Sequence, residues 1–464
     1  MESTTHSPKT HVAVLAFPFG CHPIALFKLV EKLASAAPET QFSFFNIAKC
    51  NDGLLSASKA NILNNIEAYE VADGVPTNYV FSGNPIEEVE LFLKASPENF
   101  RISLDLAVAK TGKKISCLIS DVFLLFAGSS IAKDLSVSWI PVWTSLPHSL
   151  AVHIYTDMIR QLYYDSFSSG DGEKTLDRIP GLSKICLSDV PPEVWGEGSH
   201  QETHFSHMLS QVGAILPRAT ALVMDFYDEL YPASLLNDLR RKLPSLLNVG
   251  FLTLTVPPPP LPSSDTDASG CLSWLDTQKP LSVAYISFGT VASVPPEEIN
   301  ELAEALEECK VPFLWSLRDN LKDSLPEGFA ERTSKHGKVV PWAAQIQVLA
   351  HSATGVFVTH CGSNSVCESI VHGVPMICRP PVFGDNQMNG RVVEDEWEVG
   401  VRVDGGVFTR NGIVKSLKLI LEDEQGRGIR RRVEALRELV LKAAAPGGHA
   451  SQDFNTLVET VSML

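Results

Sequence analysis

The residues best suited to chemistry lie in a few short loops. "THCGSNS", from Thr359 to Ser365, packs an imidazole, a thiol, a glycine, an amide and three hydroxyls between a strand-like run, "GVFV", and a helix-like one, "VCESIVH". A helix N-terminus presents unpaired N–H groups and a partial positive charge, so small residues there suit a phosphate. A second such corner is "SFGT", Ser287 to Thr290, which follows "VAYI". Gly289 and Gly362 would let backbone approach an anion, Thr290, Ser363 and Ser365 offer hydroxyls, and His360 offers a donor. Proton transfer calls for a different pair. "FPFGCHP" places His22 after the first strand-like run, and Asp121 lies at another strand end, in "LISDVF". A carboxylate that accepts from one imidazole nitrogen fixes the tautomer and raises the basicity of the other.

Each pattern also has a plainer use. Ser365 and Glu368 have the S-x-x-E spacing of a capping box, and Gly373 can supply a left-handed helix end. Spacing alone therefore leaves helix capping and anion binding equally open. His22 could be a satisfied structural histidine, and Asp121 a turn or N-cap residue. The sequence has no GxGxxG, no GxxxxGK[ST] and no GxSxG, so common nucleotide-binding and hydrolase signatures fail. One D-x-D pattern, Asp265 to Asp267, falls in a proline-rich stretch, where a metal–diphosphate role is not expected.

These loops must be held by strands and helices. Strand candidates in the first half are "HVAVLAFPF", "QFSFFNIA", "SCLISDVF", "WIPVWT" and "ALVMDFY". In the second half they are "SVAYISFG", "PFLWSL", "KVVPW", "GVFVTH", "PMICRP" and "GVRV". Amphipathic segments such as "IALFKLVEKLASAA" and "PEEINELAEALEEC" separate them. That alternation predicts an α/β fold with parallel sheets covered on both faces. "TVPPPPLPSSDTDASG", residues 255–270, can continue neither sheet nor helix and reads as a linker. Two domains are also what 464 residues imply, since that exceeds what one core usually fills. Ligands of open parallel sheets sit beyond the C-terminal strand ends, so two such domains face to face would enclose one cleft.

Composition narrows the partners. A formal charge of −16, with no Lys/Arg-rich block, argues against nucleic acid and anionic membranes. The basic segment "GRGIRRRVEALRELV" alternates with apolar positions and reads as a solvated helix face. Nine scattered cysteines without a CxxC pair suggest reduced core thiols, not disulfides or zinc. No signal-peptide pattern and no run of ~18 apolar residues is present, so a cytoplasmic protein is expected.

The stretch "WAAQIQVLAHSATGVFVTHCGSNSVCESIVHGVPMICRPPVFGDN", Trp342 to Asn386, closely resembles the signature box of plant family-1 UDP-dependent glycosyltransferases. The likeness extends over essentially the whole chain. "HVAVLAFPFGCH", "VPFLWSLRDN", "LPEGF", "WTSLPHSL" and "MNGRVVEDEWEVGVRVDGGVFT" are most similar to the flavonoid 3-O-glycosyltransferase branch. The resemblance implies a GT-B fold of two facing Rossmann-like domains. Residues 1–250 would bind the acceptor, residues 251–445 the UDP-sugar, and a terminal helix in 446–464 would cross back onto the first domain. It further implies that Trp342 stacks under uracil beside Ala343, that Gln345 meets the base edge or ribose, and that Glu368 accepts from ribose hydroxyls. His360, Gly362, Ser363, Asn364, Ser365 and Thr290 would surround the diphosphate, with Thr144 contacting the donor and Asp385 and Asn386 its sugar. His22 would be the base and Asp121 its partner in an inverting, metal-independent transfer. The chain is expected to act as a monomer, with the UDP-sugar as co-substrate and no cofactor.

Departures from the box cluster at its sugar end. The box usually reads "WAPQ", "HCGWNS" and "GDQ"; here Ala344, Ser363 and Asn386 stand instead, and "RPPVFGDN" carries an extra residue. Asn386 is one methylene shorter than the family's glucose-contacting glutamine. A site that loses a bond to a hydroxyl loses discrimination, so UDP-rhamnose is the leading expectation for the donor and UDP-glucose a close second. In the acceptor half, Phe19, Gly20, Ile86, Phe123, Leu146 and His148 are expected to form an apolar, aromatic-accepting cavity that turns a flavonol 3-hydroxyl toward His22. Two rival readings are a nucleotide-sugar epimerase and a decayed binding protein that holds UDP-sugar or flavonoid without turnover.

Overall fold

Strands buried on both faces must be apolar along their length, and the burial of the central strands follows that rule. The computed structural model describes residues 10–57, 63–84, 86–196, 203–263, 267, 269–289 and 294–463. In the first half, β1 (Thr10–Leu15), β2 (Thr40–Asn46), β3 (Ile66–Glu70), β4 (Cys117–Asp121), β5 (Ser138–Trp143), β6 (Leu222–Met224) and β7 (Leu246–Asn248) form one sheet. Its order is β3-β2-β1-β4-β5-β6-β7. In the second half, β8 (Val283–Ser287), β9 (Phe313–Ser316), β10 (Gly337–Val340), β11 (Thr354–Thr359), β12 (Met376–Cys378) and β13 (Gly400–Arg402) form another, ordered β10-β9-β8-β11-β12-β13. All pairings in both sheets are parallel. Parallel neighbours need crossovers, and the intervening helices supply them while covering both faces.

Burial alternates as the pleat requires. Val12 and Val14 of β1 face one core, shared with Leu26 and Leu33 of the helix His22–Ala36, whereas Ala13 and Leu15 face another. That second core does not stop at the domain boundary. It runs from Phe226 and Leu230 in the first half to Trp397 and Val399 in the second. Trp397 stacks on Phe226 at 6.3 Å, and its indole N–H donates to the Leu230 carbonyl at 3.3 Å.

The segment from Thr255 to Ser263 carries no regular structure. Asp265 of the D-x-D pattern lies outside the described residues, while Asp267 accepts from the Ser269 and Leu272 amides at 2.9 and 2.7 Å. Its oxygens are thereby engaged at the start of the helix Cys271–Leu275. The last helix, His449–Ser462, returns to the first sheet. Leu457 and Val461 are fully buried in the first half's core, and Asp453 accepts from the Asn248 amide of β7 at 2.7 Å. Two such aliphatic side chains stabilise this docking by about 1.5–3 kcal/mol each.

Candidate active site

The central strands of each sheet end at a common cavity of about 920 Å³, lined by residues of both halves. From the first half, His22 opens the helix that follows β1, and Asp121 ends β4, the neighbour of β1. Adjacent strand ends bring the two side chains together. His22 Nδ1 lies 2.8 Å from Asp121 Oδ2, while Asp121 Oδ1 accepts from the Phe123 amide at 2.8 Å. Asp121 is 1 % exposed, whereas the His22 side chain retains 18 %. The carboxylate thus holds Nδ1–H and leaves Nε2 for the cavity. Thr144 Oγ1 sits 3.3 Å from the same Nδ1. Phe123 lies against the imidazole at 4.5 Å between ring centres, and Phe17 meets it edge-on at 5.2 Å. Gly20 adopts φ +62°, a left-handed conformation that glycine takes without strain and that turns the chain from β1 into the helix.

The second half contributes a helix N-terminus. Ser363–His372 starts at Gly362, with Ser363, Asn364 and Ser365 lining the cavity. Of the two uses left open by the spacing, the capping box does not form. The helix begins two residues before Ser365, which puts Ser365 inside the first turn, and no side chain caps the end. Gln345 takes up both partners instead, donating to Ser365 Oγ at 3.0 Å and to Glu368 Oε2 at 2.7 Å. Gly373 does supply the left-handed end, at φ +69°. Glu368 is half-buried behind Gln345 and does not itself line the cavity. Burial raises its carboxyl to about 7, against an opposing hydrogen bond from Gln345.

His360 sits between two glycines. A Cβ at Gly289 would lie 2.8 Å from its ring, and one at Gly362 only 2.6 Å from Nε2, so neither position accepts a side chain without moving the imidazole. Burial lowers its pKa to about 4, with a smaller opposing pull from the Ser287 backbone. The ring is therefore neutral near pH 7. Its buried Nδ1 has no hydrogen-bond partner among the described residues. Cys361 carries a strain that the sequence gives no hint of, because it is a non-glycine residue at φ +64°. Such a conformation costs about 1–3 kcal/mol and survives only where neighbours enforce it. Thr359 Oγ1 accepts from the Cys361 amide at 3.2 Å, and Asn389 donates to the Cys361 carbonyl at 3.0 Å.

Trp342 is 67 % exposed, an unusual state for an indole, and lines the cavity beside buried Ala343. Asp385 and Asn386 lie at the start of the helix Asn386–Arg391 and also line it. Ser145 of the first half donates to Asp385 across the cleft. Asn386 Nδ2 donates to the Phe383 carbonyl at 2.7 Å, which engages part of the amide locally. Thr290 lies outside the described residues. Among those residues, no group of three His, Cys, Asp or Glu side chains could hold a metal ion, and no helix is long and apolar enough to cross a membrane.

Three acceptor-side expectations need correction. Leu146 is fully buried in the core. His148 is buried as well, and His153 reaches the cavity in its place. Positions five apart on a helix differ by about 140° in direction, while Ser149 and His153, four apart, share the cavity face. Phe19 supports the wall from behind, packed on Phe17 and Phe92 at 5.1 and 5.9 Å. Gly20, Ile86 and Phe123 do line the cavity. The sequence reading missed Glu193, Trp195, Phe205 and Leu209, which complete its acceptor-side wall. Trp195 and Phe205 are the two large aromatics in a mostly polar stretch, so little in the sequence announced this wall.

Two facing parallel-sheet halves that share a cavity at their strand ends define the GT-B class of glycosyltransferase. Comparison with known proteins agrees. Residues 267–430 match the family described as UDP-glucoronosyl and UDP-glucosyl transferase. The whole chain is 47% identical over 463 residues to an anthocyanidin 3-O-glucosyltransferase of Vitis vinifera, covering 100% of this chain and 99% of that one. A flavonol 3-O-glucosyltransferase of Arabidopsis thaliana is 45% identical, with 97% of each chain covered. An anthocyanidin 3-O-galactosyltransferase of Actinidia chinensis var. chinensis is 45% identical, with 99% of this chain and 98% of that one covered. The crystal structure of a UDP-glucose: anthocyanidin 3-O-glucosyltransferase in complex with UDP superposes with a TM-score of 0.92 at 46% identity, covering 99% of this chain and 100% of that one. The chain belongs to the plant family-1 UDP-dependent glycosyltransferases, in their flavonoid 3-O-glycosyltransferase branch.

Proposed function

We propose that this protein transfers a hexose from a UDP-sugar to the 3-hydroxyl of a flavonol- or anthocyanidin-type acceptor, with inversion at the anomeric carbon. The observation that carries this reading is the His22–Asp121 pair, bonded at 2.8 Å and opening onto the same cavity as the Ser363–His372 helix N-terminus. Residues 1–250 take the acceptor, 251–445 the donor, and 446–464 return to the first half. His22 Nε2 removes the acceptor proton, Asp121 steadies the imidazolium that forms, and the oxygen attacks the anomeric carbon from the side opposite UDP. The C–O bond to the leaving diphosphate breaks in the same step. Charge then gathers on the β-phosphate, where helix-terminal amides, Ser365 and neutral His360 stabilise it. Trp342 offers a face for uracil, and Glu368, which stands behind Gln345 and off the cavity wall, accepts from the ribose once that amide turns aside. Phe123, Phe205, Trp195 and Ile86 provide flat apolar surface for a polyphenol.

The donor reading changes from the expectation drawn on Ser363 and Asn386. The relatives compared above are named gluco- and galactosyltransferases, which favours UDP-glucose or UDP-galactose and gives UDP-rhamnose no support. Asp385 and the Oδ1 of Asn386 still offer acceptors for sugar hydroxyls. Turnover with each of the three donors, on kaempferol and cyanidin, with product NMR, tests the reading. Sugar found on an oxygen other than the 3-hydroxyl would refute the regiochemistry. Consumption of UDP-sugar to a second UDP-sugar without acceptor would instead favour an epimerase, and no turnover at all would favour a decayed binder.

A further inference from the structure

Outside the cavity, a buried polar cluster joins the two halves. Asp189 belongs to the first half, yet its side chain is 1 % exposed and its oxygens face two arginines of the second. Arg391 Nε donates to Oδ2 at 2.7 Å, and its Nη2 reaches Oδ1 at 3.4 Å. Arg402 Nη1 donates to Oδ1 at 2.8 Å, and the Cys186 amide donates to Oδ2 at 2.9 Å. Both arginines are tied further within their own half. Arg391 Nη1 bonds Asp395 at 3.0 Å, and Arg402 Nε bonds Glu394 at 3.2 Å.

The position of this cluster is what gives it meaning. Asp189 ends the short turn Leu187–Asp189, which leads into Pro192–Trp195, where Pro192, Glu193 and Trp195 line the acceptor side of the cavity. Arg391 ends the helix whose first residue is Asn386 and whose N-cap is Asp385. One short helix of six residues links these positions, so a shift at Arg391 would be passed along it to Asp385 and Asn386. This buried carboxylate therefore ties the acceptor wall to the residues facing the sugar, alongside the direct Ser145–Asp385 bond. The uridine end, at Trp342, Gln345 and Glu368, makes no contact with it.

We propose that Asp189 is a positioning residue for transfer: through Arg391 and Arg402 it sets the register between acceptor and sugar, without contributing to recognition of the nucleotide. The proposal rests on the reading that Asp385 and Asn386 face the donor sugar and residues 192–195 the acceptor. Misplacement of reacting groups by an ångström costs up to about a hundredfold in rate, and water competes for a sugar whose acceptor is misaligned. Asp189→Asn keeps the shape but removes the charge that both guanidiniums share.

The test compares wild type, Asp189→Asn and Arg391→Lys as full-length protein. It measures UDP affinity by calorimetry, transfer to kaempferol, and acceptor-free hydrolysis of UDP-glucose. The expected result for Asp189→Asn is a loss of about 10- to 100-fold in transfer kcat, UDP affinity within about twofold of wild type, and a raised ratio of hydrolysis to transfer. Arg391→Lys, which keeps the charge but not the two-pronged geometry, should shift the same ratio by a smaller factor. It serves as the readout if Asp189→Asn does not fold. Transfer within twofold of wild type in the folded variants would overturn the proposal, as would a parallel loss of UDP affinity. A wild-type protein inactive with every donor would refute the proposed function instead, which keeps the two failures apart.

Discussion

The two halves of the molecule use one plan to opposite electrostatic ends. Their sheets share an order, β3-β2-β1-β4 in the first and β10-β9-β8-β11 in the second, and in each the central pair delivers the key loops. In the first half these loops carry His22 and Asp121, an imidazole with a carboxylate at 2.8 Å and some access to water. In the second they carry Gly289 and His360, an imidazole wedged between glycines and lowered to about 4 by burial. On the proposed mechanism, the same residue type at the same kind of corner serves as a base in one half and a neutral donor in the other. What decides is the company each ring keeps. His22 has a carboxylate to donate to, whereas His360 is buried without one, and that burial disfavours its charged form.

The largest effect should come from removing the base. His22→Ala is expected to lower transfer kcat by about 10²- to 10⁴-fold, with UDP affinity unchanged, since His22 lies in the half proposed to take the acceptor. Steady-state rates paired with UDP titration calorimetry check this. Equal losses in rate and in UDP affinity would erase the distinction between the halves. His360→Ala should cost about 10²- to 10³-fold in kcat, as the loss of one preorganised donor to a developing oxyanion does. Its rate profile should lose no titration between pH 5 and 8 relative to wild type, because the native ring is already neutral there. A wild-type rate that tracks protonation of His360 in that window would break the comparison.

A smaller and purely binding effect is expected at the nucleotide. Trp342→Ala should raise the donor KM by about 5- to 100-fold, the range that base–aromatic stacking supplies, and leave kcat within a few-fold. An unchanged KM would remove the indole from the donor site and leave its 67 % exposure unexplained.

Much of this was legible from residue order. All six strands of the second sheet were marked by apolar runs, as were β1, β2, β4, β5 and β6. The two missed strands, β3 and β7, are the two edges of the first sheet. "IEAYE" carries two glutamates and is only partly buried, as an edge strand can be, and "LLN" is too short to register. His22 and Asp121 were readable because strand ends announce them. The Asp189–Arg391 contact spans 202 positions, and no single sequence encodes such a pairing in a visible way. The fate of His148 and His153 turned on helix rotation, which strand-end logic does not resolve.

The finest contrast between the halves concerns their carboxylates. Asp121 is given a histidine to hold, whereas Glu368 has only the amide of Gln345 and is raised to about 7 by burial. For a carboxyl whose folded value lies above its unfolded one, the native state binds more protons. Its contribution to stability is fully present below the unfolded value of 4.5 and is lost as pH rises through about 7. A UDP-sugar whose ribose hydroxyls donate to Glu368 favours the ionised form and so should expel that proton on binding. UDP-glucose calorimetry near pH 6.5, run in two buffers of different ionisation enthalpy, should therefore give different heats for wild type and equal heats for Glu368→Gln. UDP-glucose suits this because its phosphates do not titrate in that range. The donor KM of wild type should fall by a few-fold as pH rises through about 7, and the variant should lose that slope. Equal heats in both buffers for wild type would mean that Glu368 is already charged or remains protonated, and the ribose would have to be held by another group.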